Sequence, residues 1–205
     1  MRWPRLRPSR CPEPEHRRLA WSIVTAADPR EPTGDLEAAI RQIEAAAGDP
    51  RGGRGVPLPV FLMISRLVPL FTVDLLVQDA EGRTLLTWRD DAYFGAGWHV
   101  PGGAVRYKET IAQRIQACAA EELGAEVAFD PVPLAVEEEI DPAQRTRGHN
   151  VALLYRCRLL AGPDPARRAA PGRPRPDEWA WHERSPDDLL PVHRRYARFL
   201  GAPPR

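Results

Sequence analysis

The chain has 205 residues, of which 43% are hydrophobic, and its formal net charge is +1. This length fits one domain with extensions, and so small a net charge excludes the strong field that attracts nucleic acid or an anionic membrane surface. The three cysteines form no close pair, which argues against a disulfide framework or a zinc knuckle. The most apolar run, residues 56–70, is interrupted by proline and arginine and is too short to span a bilayer. Without an apolar signal segment, we expect a cytoplasmic protein.

The N-terminal third of the chain is predicted to consist of a tail and a helical extension. Residues 1–32 are rich in Pro, Arg and Glu and lack periodicity, which is typical of a disordered tail. Residues 33–66 are predicted to form a helical extension, because apolar residues recur at helical spacing over 35–47. The main domain is predicted to occupy residues 67–205.

The main domain mixes strands and helices without the regularity of repeated βαβ units. We predict strands at residues 70–78, 83–88, 127–129, 134–139, 150–160 and 178–182. We also predict a loop at 90–97, a long helix at 110–123 that Gly124 closes, and short helices at 185–190 and 194–200. This mixture favours an α+β fold with a mixed sheet.

The predicted helix at 110–123 carries a carboxylate on its apolar face. Ile111, Ile115 and Cys118 form one apolar stripe. At about 100° per residue, Glu122 falls within about 20° of Ile111, in the middle of that stripe. An unpaired buried charge costs many kcal/mol, so this carboxylate must be paired, hydrogen-bonded or bound to a metal.

Other oxygen ligands lie close to Glu122 in the sequence. Glu121 precedes it, Glu109 stands just before the helix, and Gly102 and Gly103 allow a backbone carbonyl to approach an ion closely. Clustered carboxylate and carbonyl oxygens suit a hard cation such as Mg²⁺. The alternative interpretation is that Glu121 and Glu122 form a solvated pair near a helix end.

These residues match a known pattern, G-x5-E-x7-R-E-x-x-E-E-x-G, the Nudix box. The matching positions are Gly103, Glu109, Glu121, Glu122 and Gly124. Ala117 and Cys118 depart from the pattern, because the box has an arginine and a glutamate there. Arg114 lies three residues earlier and could supply part of the missing positive charge. The segment therefore resembles a Nudix box without its Arg-Glu pair.

The resemblance to Nudix hydrolases implies a fold and a cofactor. The implied fold is a Nudix-type α/β/α sandwich with a mixed β-sheet, here with an N-terminal helical extension. The implied cofactor is Mg²⁺, with Mn²⁺ as the alternative. The implied metal ligands are Gly102, Glu109, Glu121 and Glu122. Because the glutamate replaced by Cys118 is usually a ligand in the family, fewer metal ions are expected.

A wider resemblance covers residues 67–200 and points to one Nudix branch. The segments that begin at Leu67, Gly82, Gly97 and Gly148 are similar to GDP-mannose mannosyl hydrolases, whose box is also atypical. That branch is understood to break the sugar C–O bond, with water attacking the anomeric carbon and a histidine acting as general base.

Carried over one position at a time, this resemblance implies three catalytic residues. His149 matches the general base, Arg89 matches the arginine that neutralises the leaving diphosphate, and Asp74 matches an acidic residue near the substrate. Arg89, Asp74 and Arg106 are the predicted substrate-binding residues. The structural alternatives are a surface-loop His149, a solvated Arg89 at a hairpin end and a hydrogen-bonded structural Asp74. His99, within a predicted strand, is interpreted as structural.

The sequence leaves three functions open. The first is a Mg²⁺-dependent hydrolase that cleaves the C–O bond of a nucleoside diphosphate sugar such as GDP-mannose. The second is a conventional Nudix pyrophosphohydrolase that cleaves a P–O–P linkage. The third is a non-catalytic Nudix-like module that binds a nucleotide. The expected partner is thus a nucleotide derivative, without nucleic acid or membrane, and homodimerisation stays open.

Overall fold

The computed structural model describes residues 33–47 and 56–201, so the tail predicted at 1–32 lies outside the described residues. Backbone contacts divide the chain into two compact units, residues 1–42 and residues 43–205. The second unit holds both sheets and the site described below. No helix of the described residues is long and apolar enough to cross a membrane.

Two helices precede the sheets in the chain. Helix α1 spans Thr33–Ala47, which confirms the helix expected there. Helix α2 spans Leu58–Leu67 and begins after Pro57, where a proline removes no helical hydrogen bond. It ends at Val68, whose extended backbone is the conformation favoured before a proline. The prolines that interrupt this apolar run in the sequence therefore lie at the ends of α2 or in its first turn.

The strands of the described residues form two sheets. Their bounds are β1 Leu70–Val77, β2 Thr84–Asp91, β3 Gly95–His99, β4 Gly102–Ala104, β5 Glu126–Phe129, β6 Ala135–Ile140, β7 His149–Ala161 and β8 Trp179–His182. In the main sheet the order is β4, β1, β7 and β5, and β6 also pairs with β7. Because β1 runs parallel to β7 and the other pairs are antiparallel, this sheet is mixed, as predicted. The second sheet, β3, β2 and β8, is antiparallel.

The loop predicted at 90–97 is wrong, because these residues form the tip of a β-hairpin. Strand β2 continues to Asp91, and β3 begins at Gly95 with a φ of 78°, a left-handed value that suits glycine. The Asp91 carboxylate accepts hydrogen bonds from the N–H groups of Tyr93 and Phe94 at 2.8 and 2.9 Å. These side-chain bonds close the turn and allow both strands to extend beyond their apolar residues.

Helix α3 forms where the sequence predicted it. It spans Ile111–Cys118 and continues as one π-helical turn over Ala119–Leu123. Thr110 caps its start, because its hydroxyl accepts a hydrogen bond from the Gln113 N–H at 3.2 Å. Gly124 ends it with a φ of 60°. The box carboxylates are therefore placed at the two ends of one short helix.

The short helix predicted at 185–190 is wrong. This segment runs along β3 instead, where the Trp98 N–H donates to the Asp188 carbonyl at 3.0 Å and the Leu190 N–H donates to the Trp98 carbonyl at 2.8 Å. The Asp188 carbonyl and the Leu190 N–H are therefore bonded to β3 and do not form helical hydrogen bonds. One 3₁₀ helix follows, at Pro191–Phe199.

Side chains of β1 alternate between two hydrophobic clusters, as the two faces of a strand require. Leu75 packs in one cluster with Ile115 of α3, whereas Leu76 packs in the other with Tyr196 of the 3₁₀ helix. The same alternation puts the buried Asp74 on the Leu76 face of the main sheet. A carboxylate is thus built into the side of the sheet that faces the 3₁₀ helix.

We predict that Gly124→Ala destabilises the protein by about 1–2 kcal/mol, the cost of a left-handed non-glycine residue. The added Cβ would also lie 2.9 Å from the Cβ of Asp164. Gly162→Ala is the matched control, because nothing lies within 4 Å of its added Cβ. Urea unfolding measures both free energies. Equal effects of the two substitutions would contradict the prediction.

Candidate active site

Glu122 is the carboxylate around which the site is built. Its Oε2 accepts a hydrogen bond from the Thr87 hydroxyl at 3.0 Å and lies 3.1 Å from His99 Nε2. Its Oε1 accepts a hydrogen bond from the Gly102 N–H at 3.2 Å. Burial by itself raises the pKa of Glu122, but His99, Arg89 and the Gly102 amide outweigh it and hold the pKa below its ordinary value. Glu122 is therefore a partly buried anion, with 19% of its side chain exposed, that hydrogen-bond donors from β2, β3 and β4 stabilise.

The other two box glutamates face arginines. Arg114, with 4% of its side chain exposed, places Nε 3.5 Å from Glu109 Oε2 and Nη2 3.2 Å from Glu121 Oε1. Arg106 adds a second contact, with its Nη2 3.2 Å from the same oxygen of Glu121. Arg167 donates to the Glu121 carbonyl at 2.8 Å. Side-chain guanidinium groups therefore meet the charges of both carboxylates.

Asp74 lies beside Gly102 on neighbouring strands. Its Oδ2 accepts a hydrogen bond from the Tyr196 hydroxyl at 2.7 Å, and Arg195 Nη2 lies 3.6 Å away. Burial raises the pKa of Asp74, although Tyr196 and Arg195 act in the opposite direction. A Cβ on Gly102 would collide with Asp74 Oδ1 and with the Val73 carbonyl. Only glycine therefore allows β4 to approach β1 this closely.

A cleft opens in front of Asp74. We define it by the polar residues that line it, Thr72, Asp74, Arg89, His99, Arg147, Asn150, His193 and Arg195. Its volume is about 110 Å³, and an adjoining depression of about 190 Å³ shares Phe94, Arg147 and Asn150 with it. Three of the eight polar residues are arginines, so the cleft presents several hydrogen-bond donors to an anion.

Two of these arginines lie against one aromatic ring. The guanidinium carbon of Arg89 is 5.6 Å from the centre of the Phe94 ring, and that of Arg147 is 4.6 Å from it. Arg89 also pairs with Asp91 at 3.6 Å. Burial and the nearby charge of Arg89 lower the pKa of Arg147. The cleft is thus a place where two like charges are held close together.

Comparison with known proteins identifies the family. A model of the NUDIX domain matches residues 69–200, which is more than half of the chain. The chain belongs to the Nudix hydrolase family. The match begins after α2, so both N-terminal helices lie outside it.

Two solved structures and one curated protein illustrate what this chain is similar to. A MutT NUDIX hydrolase from Burkholderia pseudomallei is 25% identical, with a TM-score of 0.51 over 64% of this chain and 97% of that one. A NUDIX hydrolase from Nitrosomonas europaea is 23% identical, with a TM-score of 0.47 over 63% and 70%. The low-salt glycan biosynthesis protein Agl8 of Haloferax volcanii is 40% identical over 63 residues, which are 31% of this chain and 40% of Agl8. This chain thus spans less than half of that curated relative.

Nudix hydrolases generally use divalent metals, and the residues here fit such an ion only in part. Within 33–47 and 56–201, no group of three His, Cys, Asp or Glu side chains could hold a metal. Glu122 fits as a ligand, because it is anionic and borders the glycine whose carbonyl was predicted to bind. Glu109 and Glu121 do not fit in this arrangement, because Arg114 lies between them. Of the three box glutamates, Glu122 is therefore the one that fits a cation ligand.

The structure brings some of the predicted site residues together and separates others. Asp74, Arg89 and Gly102 line the cleft, with Glu122 hydrogen-bonded at its edge. Arg106 lies outside the cleft lining and contacts Glu121. In the box, Glu122 therefore lies at the cleft, whereas Glu109 and Glu121 are bound by arginines.

His149 is not brought to the cleft. In the parallel pair of β1 and β7, Asn150 registers with Leu70, so Asn150 shares the face of Asp74 and His149 has the opposite face. Its Nε2 lies 3.2 Å from Glu138 Oε1 instead. This placement does not support His149 as the general base, and the assignment stays a prediction.

Sequence reasoning missed three residues that the structure adds to the site, Arg147, Arg195 and Tyr196. Tyr196 reaches Asp74 across more than a hundred residues of chain, and no local pattern indicates such a contact. His99 is buried, in line with its structural interpretation, but its partner is Glu122. A histidine between two apolar strand residues was the available signal, because buried polar groups need a partner.

We predict that Arg114→Gln destabilises the protein by about 1–3 kcal/mol, because the partly buried Glu109 then loses its guanidinium partner and keeps the hydrogen bond from the Arg106 N–H. Glu121 is 52% exposed and contributes little to this loss. Arg173→Gln is the control, because Arg173 is 75% exposed and pairs with an exposed Asp90. Thermal and urea unfolding measure both variants. A loss below about 0.5 kcal/mol for Arg114→Gln, the usual range of surface substitutions, would contradict the prediction.

Proposed function

We propose that this Nudix protein hydrolyses a nucleoside diphosphate derivative, and that a nucleotide sugar is its substrate. The observation that carries the proposal is the placement of Arg89 and Arg147 in one cleft beside Asp74 and the Glu122 carboxylate. A diphosphate carries several anionic oxygens that two guanidinium groups can bind bidentately. The carboxylates supply the complementary site for a divalent cation and for polar groups of the substrate.

Two further observations support a sugar in the substrate. The sequence resembles the GDP-mannose mannosyl hydrolase branch over residues 67–200, including Asp74 and Arg89. The 40% identical relative from Haloferax volcanii bears a name that refers to glycan biosynthesis. Both agree with a substrate in which a diphosphate joins a nucleoside to a sugar.

The metal has a limited part in this proposal. Glu122 and the Gly102 carbonyl would hold the cation, and the bound cation would offset the charge of the leaving phosphate. Arg89 orients the diphosphate, and Asp74 accepts hydrogen bonds from substrate hydroxyls. His99 and Thr87 keep Glu122 in place through the contacts described above.

The same site could also catalyse a second reaction, in which water attacks phosphorus. The sequence resemblance implies that His149 is the general base of C–O cleavage. His149, however, lies on the face of β7 opposite to the cleft. His193 lines the cleft, but burial holds its pKa well below its ordinary value, and its Nδ1 accepts a hydrogen bond from the Val100 N–H at 2.9 Å. P–O cleavage in the manner of other Nudix hydrolases is therefore the alternative reaction of the same site.

We expect Glu122→Gln to lower turnover by at least about tenfold, because loss of a group that holds or orients a metal typically costs 10- to 100-fold. Glu126→Gln is the control, because Glu126 is an exposed glutamate on β5. The measurement is product formation from a panel of nucleotide sugars and other nucleoside diphosphate derivatives, with Mg²⁺ or Mn²⁺. Full activity of Glu122→Gln would refute its metal role. Absence of turnover with any compound, together with nucleotide-induced stabilisation, would favour a binding module.

Reaction in ¹⁸O-labelled water separates the two reactions. C–O cleavage puts the label in the released sugar, and P–O cleavage puts it in a phosphate product. We expect the label in the sugar if a nucleotide sugar is cleaved as in the branch that the sequence resembles. Label confined to phosphate would overturn this expectation. The same assay on His149→Ala tests the base assignment, since a general base contributes about 10²–10⁴-fold to the rate.

A further inference from the structure

The loop that carries Arg147 is fixed on several sides. Arg147 has a left-handed φ of 60°, an unusual backbone conformation for a residue with a side chain. Its N–H donates to Ser65 Oγ of α2 at 3.1 Å, and its carbonyl accepts from Asn150 Nδ2 at 3.2 Å. A Cβ on Gly148 would lie 2.7 Å from the carbonyl oxygens of Asp141 and Gln144. The loop thus holds Arg147 in one strained and well-supported position.

The Arg147 side chain is surrounded by aromatic rings. Its guanidinium carbon lies 5.5 Å from the ring centre of Phe61, 5.1 Å from that of Tyr93 and 4.6 Å from that of Phe94. Its Nε is buried without a hydrogen-bond partner. No carboxylate of the described residues forms an ion pair with it. Strained backbone and an unsatisfied buried donor at one residue indicate a functional group more than a structural one.

Nearby acidic groups are already engaged. Arg195 pairs with both Asp74 and Glu139, and Asp91 pairs with Arg89. Asp91 offsets part of the Arg147 charge, but Arg147 has no carboxylate in ion-pair contact and shares the cleft with Arg89. An anion with several oxygens would relieve the repulsion between the two guanidinium groups.

We propose that Arg147 binds a phosphate group of the nucleotide substrate and that α2 is a part of this binding site. Phe61 stacks on the guanidinium, and Ser65 fixes the backbone below it. Both lie outside residues 69–200 that match the family model, so this subsite is an addition of this chain to the Nudix domain. The inference rests on the proposed function for the identity of the ligand as a phosphate compound.

The test is binding of inorganic pyrophosphate and of GDP to the full chain, by isothermal titration calorimetry in EDTA. EDTA excludes metal-bridged binding and turnover. We expect Arg147→Gln to weaken the binding of both anions at least tenfold. Arg145→Gln is the matched control: it removes the same charge from an exposed residue of the same loop, and we expect a change below twofold. Equal binding by wild type and Arg147→Gln, or no pyrophosphate binding by the wild type, would overturn the proposal.

A second pair of variants tests the part of α2. We expect Phe61→Leu to weaken pyrophosphate binding by threefold or more, whereas Leu58→Ala, at an exposed position of the same helix, leaves it unchanged. Guanosine separates binding from structure, because it lacks phosphate. Arg147→Gln should leave guanosine binding and the melting temperature near the wild-type values. An equal loss for guanosine and for GDP would show a structural role and overturn the proposal.

The failure of this inference differs from the failure of the proposed function. If no nucleoside diphosphate derivative is turned over but pyrophosphate binding depends on Arg147, the proposed function fails and the phosphate subsite stands. If a nucleotide sugar is hydrolysed and Arg147→Gln changes neither its KM nor pyrophosphate binding, the subsite fails and the function stands.

Discussion

The Glu122 carboxylate imposes the constraint on which the architecture of this site depends. It lies on the apolar face of the helix that begins with α3, partly buried, where a charge without partners would lower the stability of the fold. Its donors come from three different strands: Thr87 from β2, His99 from β3 and the Gly102 amide from β4. The main sheet, the second sheet and the helix therefore have to meet at this carboxylate for the fold to be stable. The same requirement places an anion next to the cleft.

Arg114 pairs with the two other glutamates of the box. The family has an arginine where this chain has Ala117, yet Arg114 lies one helical turn earlier and reaches both Glu109 and Glu121. Cys118, at the glutamate position, is buried in the core, and a Cβ on Gly103 would lie 3.2 Å from its Sγ. Burial raises the pKa of the Cys118 thiol to about 12, so it is neutral and cannot replace a carboxylate ligand. The altered box thus keeps a positive charge and has a neutral thiol where the family pattern has a glutamate.

The sequence predicted what depends on local pattern and missed what depends on register. Apolar spacing located α3 and put Glu122 on its core-facing side, where the side chain is partly buried, and glycine marked the end of the helix. Apolar spacing could not predict which face of the sheet His149 occupies. That face follows from the register between β7 and β1, which lie far apart in the sequence. A shift of one residue in that register would exchange His149 and Asn150 between the two faces. The 185–190 segment failed for a related reason, since backbone bonds to β3 replaced its helix.

Among the charged residues of the cleft and of the box, Glu122 has no arginine partner and Arg147 has no carboxylate partner. Arg195 pairs with Asp74 and Glu139, Arg114 pairs with Glu109 and Glu121, and Asp91 pairs with Arg89. Glu122 pairs with no arginine within this part of the chain, and Arg147 pairs with no carboxylate. A substrate complex of a divalent cation and a diphosphate has the two charges that these residues lack. Arg147 contacts Ser65 and Phe61 of α2, and Glu122 lies in the turn that continues α3. Such a complex would therefore bind beside both the Nudix domain and the helix that precedes it.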